Sequence, residues 1–175
     1  MKTLLSSDKI ADCITALADA IAPQRTKNTR IAVIGIRSRG EVLAKRLSGI
    51  LSKKFKTEIP CGTLDITLYR DDINNPQGTS QPFVRSTEIG FDIDEKIIIL
   101  VDDVLHTGRS TRAAMDALID LGRPKAIRLA VLVERAGREL PITADFAGVK
   151  VDLPVEKNVQ VNFVESDGKD QVIVT

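Results

Sequence analysis

The stretch IIILVDDVLHTGRSTRAAMDALIDLG, from Ile97 to Gly122, leads from a buried strand through a polar loop into a helix. Five apolar residues run straight into two adjacent carboxylates, Asp102 and Asp103. Burying an ionised carboxylate without a partner is expensive. Two of them at the end of a strand therefore indicate a site that binds sugar hydroxyls or faces a metal ion. The simpler alternative is a surface loop in which an aspartate caps the following helix.

The next segment, HTGRST from His106 to Thr111, brings three hydroxyl side chains and one glycine to the start of that helix. Backbone N–H groups and the positive end of a helix dipole bind phosphate groups well. Carboxylates that can bind a sugar diol, a few residues from a loop that can bind a phosphate, together predict a site for ribose 5-phosphate.

The surrounding pattern alternates strands and helices. Short, continuous apolar runs predict buried strands, and apolar residues at helical spacing predict helices. The predicted strands are 30–36, 62–70, 96–101, 126–133, 158–166 and 170–175, and the predicted helices are 7–22 (capped by Ser7), 40–55 and 111–121. The last two strands are expected to pair around the turn DGK, whereas the periodicity fades from 134 to 154. This order predicts an α/β fold with a mostly parallel sheet flanked by helices, and ligands bind beyond the carboxyl ends of such strands.

The turn GIRSRG (35–40) follows another predicted strand. It has the glycine spacing of a nucleoside-triphosphate P-loop, but Glu41 stands where that motif needs lysine, so the motif is not met. What remains is a turn that carries Arg37, Ser38 and Arg39 at a helix N-terminus, where an anion can bind. A merely solvated turn is the alternative.

Composition bounds the class of protein. The 175 residues are 43% hydrophobic and carry 25 basic against 24 acidic residues, which suits one domain (1–175) without a generally basic surface. The N-terminal residues do not form a signal peptide, and no stretch approaches the ~20 apolar residues of a membrane span. Cys13, Cys61 and a single histidine make no metal cluster and are typical of a reduced, cytoplasmic protein.

Several segments resemble one family. IILVDDVLHTGRS is similar to the phosphoribosyl-pyrophosphate (PRPP) signature of type I phosphoribosyltransferases. GIRSRGEVLAKRL, LDITLYRDD and RELPITADF are similar, in the same order, to segments of PyrR proteins, and the resemblance covers roughly residues 8 to 165. PyrR proteins regulate the pyrimidine operon by attenuation and also have uracil phosphoribosyltransferase activity.

The resemblance implies a type I phosphoribosyltransferase fold with a small hood, formed mainly by about 135–158 and the N-terminal region, and a mobile loop at about 71–86. It implies catalytic roles for Asp102, Asp103 and Arg39. The PRPP or UMP site would comprise Ser38, Arg39, Arg85, Asp102, Asp103, Val104, Leu105, His106, Thr107, Gly108, Arg109, Ser110 and Thr111. Arg135 and Val159 would line the uracil pocket.

The same resemblance implies the partners. Uracil, PRPP and UMP would bind with Mg²⁺ accompanying PRPP, no protein side chain is assigned as a metal ligand, and the chain would form a homodimer or a higher homo-oligomer. No membrane partner is implied.

RNA is the second partner that the family implies, and here the chain departs from the pattern. The helix from Asp8 to Ala22 holds three aspartates against one lysine, a net charge of −2. Gly137 and Thr143 stand where relatives often carry histidine and arginine, and His106 where they often carry tyrosine. Arg138 and Lys157 are the candidate RNA contacts. The prediction is therefore an enzyme first, and the alternative is a UMP-responsive RNA-binding regulator with little enzymatic activity.

Overall fold

The computed structural model describes residues 2–72 and 86–175. Its strands are β1 (Lys2–Leu5), β2 (Ile31–Ile36), β3 (Cys61–Leu64), β4 (Ile97–Leu105), β5 (Ala126–Arg135), β6 (Phe146–Val151), β7 (Val159–Asn162) and β8 (Gln171–Val174). Its helices are α1 (Ser7–Ile21), α2 (Arg39–Phe55), α3 (Arg109–Leu121) and the single turn α4 (Val164–Asp167), and 3-10 turns cover Ala22–Gln24 and Thr67–Tyr69.

Five parallel strands form the central sheet in the order β3-β2-β4-β5-β6. Ile31, Ile97 and Ala126 lie side by side at the amino ends of three neighbouring strands. The carboxyl ends of β2 and β4 therefore meet at the opposite edge, with the two polar loops that follow them. The predicted α/β fold with a mostly parallel sheet is confirmed.

Helices cover both faces of this sheet. Alternate residues of β4 point to opposite faces, as the period of two requires. Ile99 packs in a cluster with the apolar stripes of α1 and α2, whereas Ile98 and Leu100 pack with α3. Each helix therefore buries one apolar side, and the polar loops are left at the sheet edge.

A second, antiparallel sheet has the order β1-β8-β7. Val159 pairs with Val174 and Asn162 with Gln171, so the predicted pairing around the DGK turn is confirmed. The first of these strands ends at Asn162 rather than 166, because the chain turns there into α4. Strand β1 was not predicted.

Other local predictions need correction. The stretch 134–154, in which the periodicity fades, contains β6 at the edge of the main sheet, so this part of the predicted hood range belongs to the central sheet. Strand β3 ends at Leu64, and Thr67–Tyr69 form a 3-10 turn instead of continuing it. The N-cap of α1 is Ser6 rather than Ser7, and its side chain makes no capping hydrogen bond. Among the described residues, no helix is long and apolar enough to cross a membrane.

Candidate active site

A cavity of about 300 Å³ opens at the carboxyl edge of the central sheet, between the loops that follow β2 and β4. Its lining is mostly polar and charged. The lining residues are Ile36, Arg37, Ser38, Arg39, Asp65, Ile66, Thr67, Arg70, Asp102, Asp103, Val104 and Ser110. The predicted site residues Ser38, Arg39, Asp102, Asp103, Val104 and Ser110 are thus brought together in one place.

The paired aspartates form the floor of this cavity. Both lie within β4, both are half-buried, and the N–H of Asp103 donates to Oδ1 of Asp102 over 2.9 Å. Burial, and then the neighbouring carboxylate, raise the pKa of Asp102 well above its usual value. Burial also raises the pKa of Asp103, although the nearby Arg39 opposes this rise. The pair is therefore poised to gain stabilisation from a bound diol or cation.

Gly40 lets the first turn of α2 approach this floor. A Cβ atom at Gly40 would come within 2.6 Å of the Val101 carbonyl oxygen and 3.1 Å of Asp102 Cα. A side chain there would push the helix away from β4. The glycine of the GIRSRG turn thus serves close packing, and that packing brings Arg39 beside the aspartates.

The two arginines of this turn have different tasks. Arg37 donates to Ser86 O over 2.8 Å and to Thr63 Oγ1 over 3.1 Å, and it forms an ion pair with Glu41 at 3.0 Å. It fastens the turn to β3 and to the segment after the predicted loop. Arg39 instead lines the cavity, and its Nη2 donates a hydrogen bond to Asp167. Both arginines line the cavity, as the turn predicts, but the Arg37 guanidinium is taken up by Ser86, Thr63 and Glu41, whereas Arg39 has a single carboxylate partner.

The predicted phosphate loop lies at the N-terminus of α3. Gly108 adopts a left-handed conformation with φ +93° just before the helix begins at Arg109, and the Arg109 N–H donates to Thr107 Oγ1 at 3.3 Å. The positive end of the helix dipole lies at this loop and favours an anion there. The Arg109 side chain points away from this nest and pairs with Glu139 at 2.7 Å and Asp71 at 2.5 Å. Thr111 is buried.

Leu105 and His106 play structural parts in the same loop. Leu105 is 2% exposed and packs in the core beneath α3, so only its backbone can face a ligand. His106 is half-buried, and burial, followed by the charge of Arg135, lowers the pKa of its imidazole. Its carbonyl oxygen accepts a hydrogen bond from Arg138 Nε at 3.3 Å.

The predicted uracil-pocket residues lie apart from the cavity. Arg135 is 3% exposed, and its guanidinium donates to the carbonyl oxygens of Pro154 and Lys157. It holds the connection between β6 and β7. Val159 pairs with Val174 and packs against the core. Neither residue is among those that line the cavity, so a uracil contact for them stays a prediction, as does any role for Arg85, which lies outside the described residues.

Residues that the sequence reasoning missed also shape the site. Asp65, Thr67 and Arg70 line the cavity from the 3-10 turn after β3, which had been predicted as a strand. Thr67 donates to Asp65 Oδ1 through both its N–H (3.0 Å) and its hydroxyl (2.6 Å), which fixes that turn. The polar residues within the segment LDITLYR were the sequence feature that could have indicated these contributions to the site.

The donor set fits magnesium bound together with a substrate. Within residues 2–72 and 86–175, no group of three or more His, Cys, Asp or Glu side chains could hold a metal by itself. Mg²⁺ usually keeps several waters and takes one or two carboxylates plus substrate phosphates. Asp102 and Asp103, whose pKa values are raised by burial, offer such carboxylates.

Comparison with known proteins identifies the family. Residues 1–166 match the model of the phosphoribosyl transferase domain. The chain is 48% identical to the bifunctional protein PyrR of Deinococcus radiodurans over 97% of its own length and 92% of that protein, and 45% identical to that of Pelotomaculum thermopropionicum over 98% and 93%.

Solved structures share the fold. The hypoxanthine phosphoribosyltransferase of Trypanosoma cruzi superposes with a TM-score of 0.72 at 16% identity, covering 99% of this chain and 95% of that one. The Staphylococcus aureus hypoxanthine enzyme gives 0.64 at 17%, covering 89% and 78%. At this level of sequence identity the similarity supports the fold, but it does not indicate which nucleobase is the substrate. The chain belongs to the PyrR family and has the type I phosphoribosyltransferase fold.

Proposed function

We propose that this protein is a uracil phosphoribosyltransferase, which converts uracil and PRPP to UMP and pyrophosphate. The observation that carries the proposal is the half-buried pair Asp102 and Asp103 in the last part of β4, followed by a short loop and the N-terminus of α3. That arrangement suits a ribose diol and its 5-phosphate. The choice of uracil rests on the PyrR relatives and on the resemblance of LDITLYRDD and RELPI to PyrR segments.

In the reaction a ring nitrogen of uracil displaces pyrophosphate from C1 of the ribose. The sugar becomes cationic while negative charge builds on the leaving group. Asp102 and Asp103 would accept hydrogen bonds from the ribose hydroxyls, and their ionised form would tolerate the positive sugar. The first-turn N–H groups of α3 and the hydroxyls of Thr107 and Ser110 would hold the 5-phosphate.

Arg39 would stabilise the departing pyrophosphate, since it faces the cavity beside the aspartates. Magnesium, when bound with PRPP, would supply further positive charge to the leaving group. No nucleophilic side chain is needed, because the base attacks C1 directly. Water competes with uracil for C1, so the site must exclude it during the reaction.

The test is an assay with radiolabelled uracil, PRPP and Mg²⁺, run beside hypoxanthine, guanine and orotate. We expect UMP formation with uracil and poor turnover of the other bases. A higher kcat/KM for hypoxanthine than for uracil would show that the base is wrongly assigned within the family. Asp102→Asn combined with Asp103→Asn is the control that should abolish the signal.

For RNA we propose weak and nonspecific affinity, with enzymatic activity as the main function. Arg138, one of the two candidate contacts, forms an ion pair with Glu134 at 2.7 Å, and its Nε donates to the His106 carbonyl. Thr143 donates to the same carboxylate at 3.2 Å. A cation held in this way offers less charge to a phosphate. Lys157 is exposed and remains the freer candidate.

The alternative, a UMP-responsive RNA-binding regulator with little activity, would show tight, UMP-enhanced RNA binding without turnover of uracil. A homodimer or a higher homo-oligomer is also proposed, and size-exclusion chromatography with light scattering would test it.

A further inference from the structure

Two arginines of α2 reach one segment of the small sheet. Arg39 and Arg46 are seven residues apart, so their side chains lie on the same face of the helix. Arg46 binds Glu165 at 2.9 Å and Asp170 at 2.7 Å, and its guanidinium lies over the Phe163 ring, 4.8 Å from the centroid. Arg39 donates to Asp167 Oδ1 at 3.0 Å. The helix that carries Arg39 to the cavity is thus joined to the turn α4.

The two arginines differ in how fully they are bonded. Arg46 makes four hydrogen bonds to its two carboxylate partners, which raise the pKa of its guanidinium. Arg39 has one carboxylate partner, and its Nε is buried without a hydrogen-bond acceptor among the residues that the structure describes. A buried donor without an acceptor is costly. Arg39 is therefore held less firmly than Arg46, although it is the arginine that lines the cavity.

Asp167 is a fixed anion. Its Oδ2 accepts hydrogen bonds from the Ser166 hydroxyl at 2.7 Å and from the Phe163 N–H at 3.0 Å. The Ser166 hydroxyl first, and then that N–H, hold the pKa of Asp167 below its usual value, so the carboxylate is ionised at neutral pH. One oxygen is therefore held by its own turn, and the other, Oδ1, is presented to Arg39.

We propose that Asp167 is a positioning residue that aims the Arg39 guanidinium at the pyrophosphate of PRPP. The proposal rests on the proposed function. With Nη2 held by Asp167, the positive charge of the Arg39 guanidinium is kept at the cavity wall, where phosphate oxygens would bind. Without the Asp167 carboxylate, the Arg39 guanidinium would lose the contact that fixes its direction, and its charge would no longer be held in place for the pyrophosphate. The turn after β7 would thereby influence pyrophosphate binding through Arg39, without contacting the pyrophosphate itself.

The test compares two ligands by isothermal titration calorimetry in the Asp167→Asn variant. PRPP with Mg²⁺ carries the pyrophosphate, whereas ribose 5-phosphate lacks it. We expect the affinity for PRPP to fall about tenfold, the effect of losing one charge-assisted hydrogen bond, and that for ribose 5-phosphate to stay within about twofold. Glu165→Gln, in the same turn but bound to Arg46, is the matched control and should leave PRPP affinity unchanged.

A double mutant separates positioning from a general structural effect. In an Arg39→Ala background, Asp167→Asn should cause no further loss of PRPP affinity, because the residue acts through Arg39. An additional loss, an equal loss for ribose 5-phosphate, or unchanged PRPP affinity in the single variant would each overturn the proposal. If PRPP binding responds as expected but uracil is not converted, only the base assignment fails. A wild-type protein that binds no PRPP would overturn both.

Discussion

Gly137 lies directly against the imidazole of His106: a Cβ atom at Gly137 would stand 2.6 Å from Nε2 of that ring. Gly137 also has φ +110°, a conformation that other residues rarely adopt. From the resemblance to PyrR proteins we expect a histidine near position 137 and a tyrosine at position 106. In the sequence the two differences look like separate changes, whereas in the structure the histidine ring occupies the space that a side chain at 137 would need.

The first prediction concerns this pair. Gly137→Ala should lower the free energy of unfolding by roughly 1–3 kcal/mol, because the backbone becomes strained and the ring must move. In a His106→Ala background the ring is absent and only the backbone strain remains, so the same substitution should cost less. Urea unfolding of the four proteins measures this coupling. Strictly additive losses would show that the two residues do not compete for space.

The second prediction concerns the stability of the aspartate pair. Because burial and Asp103 raise the pKa of Asp102 in the folded state, folding favours its protonated form. The stability of the wild-type protein should therefore fall as the pH rises through this raised pKa. Asp102→Asn keeps an oxygen for the Asp103 N–H and removes the charge. We expect it to raise Tm by about 2–4 °C at neutral pH, the shift that ~1 kcal/mol produces at this chain length.

The gain from Asp102→Asn should shrink as the pH is lowered and the wild-type carboxyl becomes protonated. Thermal unfolding without ligand between pH 4 and pH 8 measures it. Asp116→Asn, on the exposed side of α3, is the control and should show no such pH-dependent gain. If Asp102→Asn were less stable than wild type at neutral pH, burial could not be the cause of the raised pKa of Asp102.

The third prediction concerns catalysis by the same carboxylates. Each should exchange charge-assisted hydrogen bonds with the ribose diol, worth roughly 1.5–3 kcal/mol. Asp102→Asn or Asp103→Asn should then reduce kcat/KM for PRPP about ten- to a hundredfold, at about 1.4 kcal/mol per decade. Asp102→Asn, which is expected to stabilise the protein without ligand, should therefore impair catalysis. Wild-type kinetics in both variants would exclude the diol-binding role.

The sequence predicted the central sheet well because buried parallel strands are continuous apolar runs. β2, β4 and β5 were found in this way, and the polar residues that follow their apolar runs indicated the candidate site. β6 was missed because FAGVKV is a half-buried edge strand without a long apolar run. β1 was missed because it pairs with β8 at the other end of the chain. Neither periodicity nor propensity encodes such a pairing.

The site was predicted in part for the same reason. Asp102, Asp103 and Arg39 belong to local motifs, and the resemblance of these motifs to PyrR segments singled them out. The partner of Arg39, Asp167, lies 128 residues further along the chain and follows no motif. The contacts that distinguish Arg37 from Arg39 likewise come from β3 and from Ser86, which only the folded chain brings near.

The last prediction concerns RNA and the charge of Glu134. This residue is 7% exposed, yet it binds Arg138 at 2.7 Å and has the Lys150 ammonium 3.2 Å from its other oxygen. Although burial pushes the pKa of Glu134 upward, the contacts with Arg138 and then with Lys150 bring it below its usual value, so the carboxylate is ionised at neutral pH. Each cation is therefore only partly neutralised, because one carboxylate is shared between two positive charges.

Glu134→Gln should release Arg138 and Lys150 for phosphate contacts. We expect filter binding to a pyrimidine-operon leader stem-loop to tighten at low salt and the salt dependence to steepen by up to about one unit, because the substitution removes one negative charge. Arg138→Ala in the wild-type background should change the slope little, whereas in the Glu134→Gln background it should remove about one unit. Tight, UMP-enhanced binding of the wild-type protein at physiological salt would contradict the prediction, because it would require an RNA surface that does not depend on this neutralised cluster.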